Sequence, residues 1–443
     1  MPVDSCITHL LPTLNKPHLL QSDIAPIIET LKQENRVNVQ LVGHSFEKRP
    51  IQLLTMGRGQ CVIFAWTQMH GNEATATASV FDLIDVLLAK CPADLSHWAD
   101  NFTLHILPML NPDGAQRRIR QNAQGIDINR DARGSQSPEG RILMQMVEQL
   151  APDIGFNLHD QSPYYQCGTS GNPATIAFLA PAFDVQKAID EPRERAMCLI
   201  AHMSHTIRSH LGDCVARYDD TYSPRSFGDN IAARKVSTIL IESGAARGDT
   251  NRQIARAMNV SAIISALEFI QSASVDDKDR ATLENYFSIP ENVSEALSSL
   301  LIRNLSFAGK YRYTAGLSIK QSARYSNSFY VDFIGDLHTQ AGLVEHDASD
   351  IEYSAGKVYL VDVPQTLDNH SYIKLLKQGF LYFNDPKDLL INKSDYHVQL
   401  SEKAFGNENA FVLNQPAYCL FTRIGEPSVI VGAMLNGQLV WFN

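Results

Sequence analysis

Three residues of this chain have the types and spacing to hold one divalent metal ion. His70 and Glu73 stand three positions apart in His70-Gly71-Asn72-Glu73, close enough for a single ion to take both. His159, far down the chain, can supply a second nitrogen. Two histidines and one glutamate leave a fourth coordination position for water, the open arrangement of a catalytic zinc. A His-x-x-Glu pair by itself is a weak pattern that recurs on protein surfaces. Here its position strengthens it, because both halves of the set follow strongly apolar runs.

The first run is Cys61-Val62-Ile63-Phe64-Ala65-Trp66, of the kind buried on both faces of a central sheet. The second, Asp153-Ile154-Gly155-Phe156-Asn157-Leu158, places His159 at the end of its strand. Around them the spacing predicts a helix over 22–34, two strands within 36–58, a helix over 75–90, a strand over 102–108 and a helix over 138–150. A strand over 174–180, a long helix over 185–211, a strand over 236–241 ending at Glu242, and a helix near 250–273 follow. Asn111-Pro112-Asp113-Gly114 reads as a sharp turn. Strands alternating with helices predict an α/β fold with a mixed, mostly parallel central sheet flanked by helices. All three candidate ligands then fall where strands end, the edge at which open α/β sheets bind ligands.

A chain of 443 residues is too long for one compact core. Residues 1–275 are expected to form the catalytic domain, 276–299 a linker, and 300–443 a smaller β-rich domain of short alternating segments. The formal net charge of −10 argues against a nucleic-acid or anionic-membrane partner, which would want a basic face. The start of the chain lacks a basic region followed by an apolar run, so no signal peptide is expected. No segment reaches the length of a membrane span. Seven scattered cysteines without C-x-x-C spacing suit buried free thiols in a reducing cytoplasm. His202, His205 and His210 share one predicted helix at a spacing that cannot serve one metal, and read as a polar face. His338 and His346 read as surface residues.

Taken in order, the motifs resemble the zinc carboxypeptidase family (M14 metallopeptidases). The blocks are His70-x-x-Glu73, Asn111-Pro112-Asp113-Gly114, Arg120-Gln121-Asn122, Gly125-Ile126-Asp127-Ile128-Asn129-Arg130, Leu158-His159 and Ile239-Leu240-Ile241-Glu242. The resemblance spans about 60–275 and implies a zinc carboxypeptidase-like fold with one bound zinc. It implies Glu242 as the general base, Arg120 as the oxyanion stabiliser, and Asn129 with Arg130 as the clasp on a substrate carboxylate. Asp127 would accept the second ring N–H of His70. A planar guanidinium suits the bidentate task better than a lysine would.

The expected function is removal of a C-terminal amino acid from a peptide or peptide-like amide. Two other readings stay open: an N-acyl amino acid deacylase of the aspartoacylase or succinylglutamate desuccinylase type, and an inactive peptide-binding relative. The intact Glu242 argues against the last. Substrates with a free carboxylate, either peptides or acyl-amino acids, are the expected partners, and the sequence leaves the oligomeric state open. The family also carries a mobile tyrosine upstream of the catalytic glutamate; spacing favours Tyr222, with Tyr218 close behind. Arg225 is read as a salt-bridge residue rather than a second substrate cation, and Asp131 stands where the family often has an Asn or an aromatic.

Overall fold

The computed structural model describes residues 10–89, 95–272, 281–308, 312–321, 328–405 and 411–442. The amino-terminal segment searched for a signal peptide, Cys6, Cys91 and the acidic run 276–279 lie outside these residues. The chain divides into two compact units, Met1–Ser294 and Glu295–Asn443.

The first unit is built on an eight-stranded sheet. Its strands in chain order are β1 (Asn38–His44), β2 (Pro50–Gly57), β3 (Cys61–Thr67), β4 (Phe102–Leu107), β5 (Ile154–Asp160), a short β6 (Gln166–Cys167) outside the sheet, β7 (Ile176–Leu179), β8 (Val215–Arg217) and β9 (Ser237–Ser243). The spatial order is β1-β2-β4-β3-β5-β9-β7-β8. The centre, β4-β3-β5-β9, is parallel, whereas β1, β2 and the β7–β9 pair bring antiparallel edges. The chain leaves β3 towards β4 on one side and returns as β5 on the other, so connections diverge above the ends of β3 and β5. Such a divergence opens a crevice at the carboxyl edge of a sheet.

The apolar run of β3 is buried on both faces because helices cover both. Ile63 and Ala65 join one core with the helices Thr75–Ala89, Glu191–Leu211 and Gln253–Ser272. Phe64 and Trp66 point the other way, into a core with helix Pro138–Leu150 and Phe227 and Ile231 of helix Phe227–Ala232. The period-2 alternation of side chains thus sends one continuous apolar strand into two cores.

Three sequence readings are corrected here. Asn111-Pro112-Asp113-Gly114 opens a short helix, Pro112–Arg117: Pro112 fills the first turn, and Asn111 caps it by accepting from Gly114 N at 2.8 Å. The long helix starts at Glu191 rather than 185, because Asp190 caps it through Arg193 N. His202 belongs to no polar face: it is buried, its ring 4.7 Å from that of Phe269.

Residues 281–294, within the stretch read as a linker, carry helix Leu283–Phe287 and lie in the first unit. The second unit begins at once with strand Leu297–Phe307. Its main sheet runs Phe329–Gly335, Tyr313–Gln321, Leu297–Phe307, Ile351–Ser354, Cys419–Arg423, Glu426–Leu435, Gln438–Trp441, with Ala341–Asp347 paired to Leu297–Phe307. One helix, Asn369–Lys377, capped by Asp368, packs in the second core of this unit. The β-rich carboxy-terminal region is therefore present, with a helix that the sequence reading lacks.

Candidate metal centre and catalytic cleft

The loop after β3 and the end of β5 bring His70, Glu73 and His159 together. His70 Nδ1 lies 2.7 Å from Glu73 Oε1, and His159 Nδ1 lies 2.8 Å from Glu73 Oε2. The two Nδ1 atoms are 3.2 Å apart, and one ligand atom from each residue lies within 4.8 Å of the others. Two ring nitrogens turned towards each other and towards one carboxylate form a donor set that a single cation satisfies. The set is mixed nitrogen and oxygen with an open side on a cleft, so the residues fit a zinc ion.

Local sequence explains why the loop can fold this way. Gly71 sits so close to the helix 112–117 that a Cβ would lie 1.9 Å from Gly114 C. Only glycine allows that approach. Asn111 Nδ2 donates to Met69 O at 3.1 Å, so the cap of that helix also clamps the loop. Asp113, fully buried, accepts from Ser45 Oγ at 2.7 Å, Glu47 N at 2.9 Å and Arg49 Nη1 at 2.6 Å, which anchors the helix to the β1–β2 connection. The Asn-Pro-Asp-Gly block is thus a scaffold and is not among the residues lining the cleft.

Asp127 Oδ1 lies 3.1 Å from His70 Nε2, and its other oxygen accepts from Arg120 Nε at 2.9 Å. Arg120 Nη1 approaches His70 Nδ1 at 3.1 Å and Glu73 Oε1 at 3.3 Å, leaving Nη2 without a protein partner among the described residues. Burial pushes the Glu73 carboxyl up, but the His70 and His159 imidazoles outweigh it and hold it far below the usual range. Burial likewise works against protonation of both histidines; it prevails at His159, whereas Glu73 and Asp127 keep His70 above its ordinary value.

Glu242 is the register partner of His159 across the parallel β5–β9 pair, so both side chains emerge on one face at one edge. Its Oε2 is buried without a hydrogen-bond partner among the described residues. Burial first, then the charges of Glu73 and Asp160, raise its pKa well above that of an ordinary glutamate; Arg120 and Arg252 pull the other way. Asp160 follows His159, accepts from Thr75 Oγ1 at 2.8 Å, and is raised to about 6 by burial.

A cleft of about 480 Å³ joins His70, Glu73, Arg120, Asp160 and Glu242 to Asn129, Arg130, Tyr218, Tyr165, Asn157, Asp229 and Leu240. Asn129 Oδ1 accepts from Phe227 N at 2.9 Å, which leaves its Nδ2 as a donor. Arg130 Nη1 donates to Asn129 O at 2.7 Å and Ser226 Oγ at 3.2 Å. Tyr218 is raised by burial and by the nearby Glu242, and its hydroxyl lies 3.3 Å from that of Tyr165. Tyr222 and Arg225 are not among the lining residues. Asp131 instead holds the start of the next helix, accepting from Ser137 N and Ser137 Oγ at 2.7 Å each. Tyr165, Asn157 and Asp229 escape the sequence reading, since none belongs to a motif; Asn157 does carry one signal, a polar residue inside an apolar strand. A groove of about 560 Å³ elsewhere, lined by Gln21, Ile28, Arg49, Pro50 and Met109 among others, holds no comparable set of reactive groups.

Part of the chain resembles known proteins. Residues 25–158 match the model of the family described as zinc carboxypeptidase. The sequence resemblance to the M14 metallopeptidases is therefore borne out, with the family match lying over residues 25–158. Among curated relatives, an uncharacterised protein of Zymomonas mobilis is 23% identical over 193 residues, covering 42% of this chain and 48% of its own length. Carboxypeptidase M of Mus musculus is 27% identical over 109 residues, 20% of this chain and 25% of its own. The chain thus spans at most about half the length of the curated relatives it matches. Among solved structures, a metallo-carboxypeptidase from Burkholderia cenocepacia aligns with a TM-score of 0.46 at 18% identity, over 57% of this chain and 70% of that one. No helix among the described residues is long and apolar enough to cross a membrane.

Proposed function

We propose that the first unit is a metallocarboxypeptidase that binds one zinc ion and removes the C-terminal amino acid of a peptide or peptide-like amide. The observation that carries this reading is the convergence of His70 Nδ1, His159 Nδ1 and the Glu73 carboxylate beside Glu242, at one end of a cleft that also holds Arg120, Asn129 and Arg130. When bound by His70, Glu73 and His159, zinc supplies Lewis acidity, polarising a carbonyl and making water a nucleophile near neutral pH.

The remaining steps belong to the chain's own groups. Arg130, with Asn129 Nδ2, clasps the substrate's terminal carboxylate and sets the peptide's direction in the cleft. That contact leaves the last amide bond near Glu242. The Glu242 carboxylate takes a proton from water as it attacks the carbonyl carbon. Burial and the charges of Glu73 and Asp160 raise its proton affinity above that of an ordinary glutamate, which favours its acting next as an acid. The same proton passes to the leaving amine, and the C–N bond breaks. Arg120 Nη2 donates to the oxygen that becomes negative during the attack. Asp127, bridging His70 and Arg120, ties the orientation of the ligand to that of the oxyanion donor. Tyr218, at the cleft wall near Glu242, is the better placed of the two candidate tyrosines to touch substrate.

Incubating the protein with peptides of varied C-terminal residues, with and without a chelator, tests this reading. Chelator-sensitive release of single C-terminal residues is expected. Release of acyl groups from N-acyl amino acids, with intact peptides, would transfer the assignment to a deacylase. A cytoplasmic setting is part of the proposal and is supported by the cysteine pattern, the five described cysteines being free.

A further inference from the structure

We propose that Gln68 is a positioning residue that fixes the His70–Glu73 loop in its metal-binding shape before any metal arrives. This rests on the reading of His70 and Glu73 as ligands. Gln68 follows β3 and has φ of +49°, the left-handed region that suits glycine. It is nevertheless a long amide, and it is 1% exposed. A residue needed only to turn the chain there would be glycine or asparagine.

What keeps a glutamine in that conformation is its side chain. Nε2 donates to Gly71 O at 2.9 Å, the carbonyl between the two candidate ligands. The same nitrogen donates to Leu19 O at 3.0 Å. Oε1 accepts from Thr77 Oγ1 at 2.8 Å, in the first turn of the helix that follows Glu73. The backbone carbonyl of Gln68 accepts from Asn111 N at 3.1 Å. One buried amide therefore joins the loop's midpoint to the helix at its end and to the segment preceding helix Gln21–Gln33. That segment is itself held at Leu11, whose N donates to Asp82 Oδ1 at 2.8 Å and whose carbonyl accepts from Arg256 Nη2 at 3.0 Å. The Asp82–Arg256 ion pair is fully buried, so the segment is a firm anchor.

The consequence is for the metal. Losing the Nε2 bonds strands two buried carbonyls and frees Gly71 to move, so the two ligands lose their fixed separation. Groups that orient metal ligands typically change metal affinity by about 10- to 100-fold when removed. A glutamine that only stabilised the fold would lower melting temperature and leave the affinity of the folded protein unchanged.

The test is the zinc dissociation constant of the full chain, measured by competition with a chromophoric chelator, beside the melting temperature of the zinc-free protein. Gln68→Met keeps the length and loses every side-chain hydrogen bond. Its zinc affinity is expected to fall about 10- to 100-fold. Thr77→Val leaves Gln68 in place but removes the group that orients its amide, and a loss of about threefold or more is expected. Zinc affinity of folded Gln68→Met within about twofold of the parent, whatever its melting temperature, would overturn the proposal. Should Gln68→Met fail to fold, the same twofold criterion applied to Thr77→Val decides it. A parent protein that binds no zinc would instead overturn the ligand assignment itself, which is a separate outcome.

Discussion

His159 and Glu242 are register partners on the adjacent parallel strands β5 and β9, so the candidate metal ligand and the candidate base project side by side from one sheet edge. Their spacing is set by strand pairing in the core and not by a loop. Changing the chemistry of one should therefore leave the position of the other intact.

Glu242→Gln is the direct consequence. The amide keeps the shape and cannot take a proton from water. Turnover of a C-terminal peptide bond should fall by about 10²- to 10⁴-fold, the usual worth of a positioned base, while zinc content stays at the parent's level. Steady-state kinetics with metal analysis checks both halves; retained activity would mean that another group is the base.

Arg120 and Arg130 should separate in kinetics. Arg130, near Ser226 and Asn129, would hold the ground-state carboxylate, so Arg130→Ala should act mainly by raising KM. Arg120→Ala removes the donor for the developing negative charge together with the bonds to Asp127 and Glu73, and should lower kcat by about 10²- to 10³-fold. Measuring kcat and KM separately for each variant would expose an exchange of roles.

Asp229 predicts a pH-dependent stability. Burial raises its carboxyl to about 6, although Arg130 and Arg193 pull it down and Ser223 N donates to it at 2.9 Å. Below about pH 3 both folded and unfolded chains carry the proton, and the group is neutral in the balance. As pH rises towards 6 the unfolded chain ionises first, so the group withdraws stability, fully so above 6. Asp229→Asn keeps an acceptor for Ser223 N. It should stabilise the protein at pH 7.5 by roughly 1–2 kcal/mol, a gain that shrinks as pH falls below 6 and vanishes only below about pH 3. Denaturant unfolding at the two pH values is the measurement.

Gly71 makes a packing prediction. The methyl group of an alanine there would meet Gly114 C at 1.9 Å, so Gly71→Ala must push the metal loop off the helix 112–117. A cost of at least about 2 kcal/mol is expected, together with weaker metal binding. Gly125→Ala is the control: φ is +77° but nothing lies within 4 Å, so only backbone strain of about 1 kcal/mol applies. Equal costs for the two variants would contradict the close approach.

Much of the first unit is legible in the sequence because its signals are local. A continuous apolar run such as 61–66 requires cover on both faces, and helices on both sides supply it. The candidate ligands can be read because both parts of the set follow such runs. The purpose of Asn111-Pro112-Asp113-Gly114 cannot, since its partners at Met69, Ser45 and Arg49 are distant in sequence. Asn157, Tyr165 and Asp229 reach the cleft from three separate segments, a meeting that no spacing encodes. In the second unit, strand Leu297–Phe307 breaks its own alternation with a register shift between Ile302 and Leu305, and so hides from a period-2 search. His202 reads wrongly from spacing alone because a histidine's neighbours, here Phe269, decide whether it faces water.

His70, Glu73 and His159 are proposed to form one zinc site, and metal analysis of the parent and of His159→Ala tests this most directly. One zinc per parent chain, with near-complete loss in a folded His159→Ala variant, is the predicted result. Full zinc occupancy in His159→Ala would contradict it.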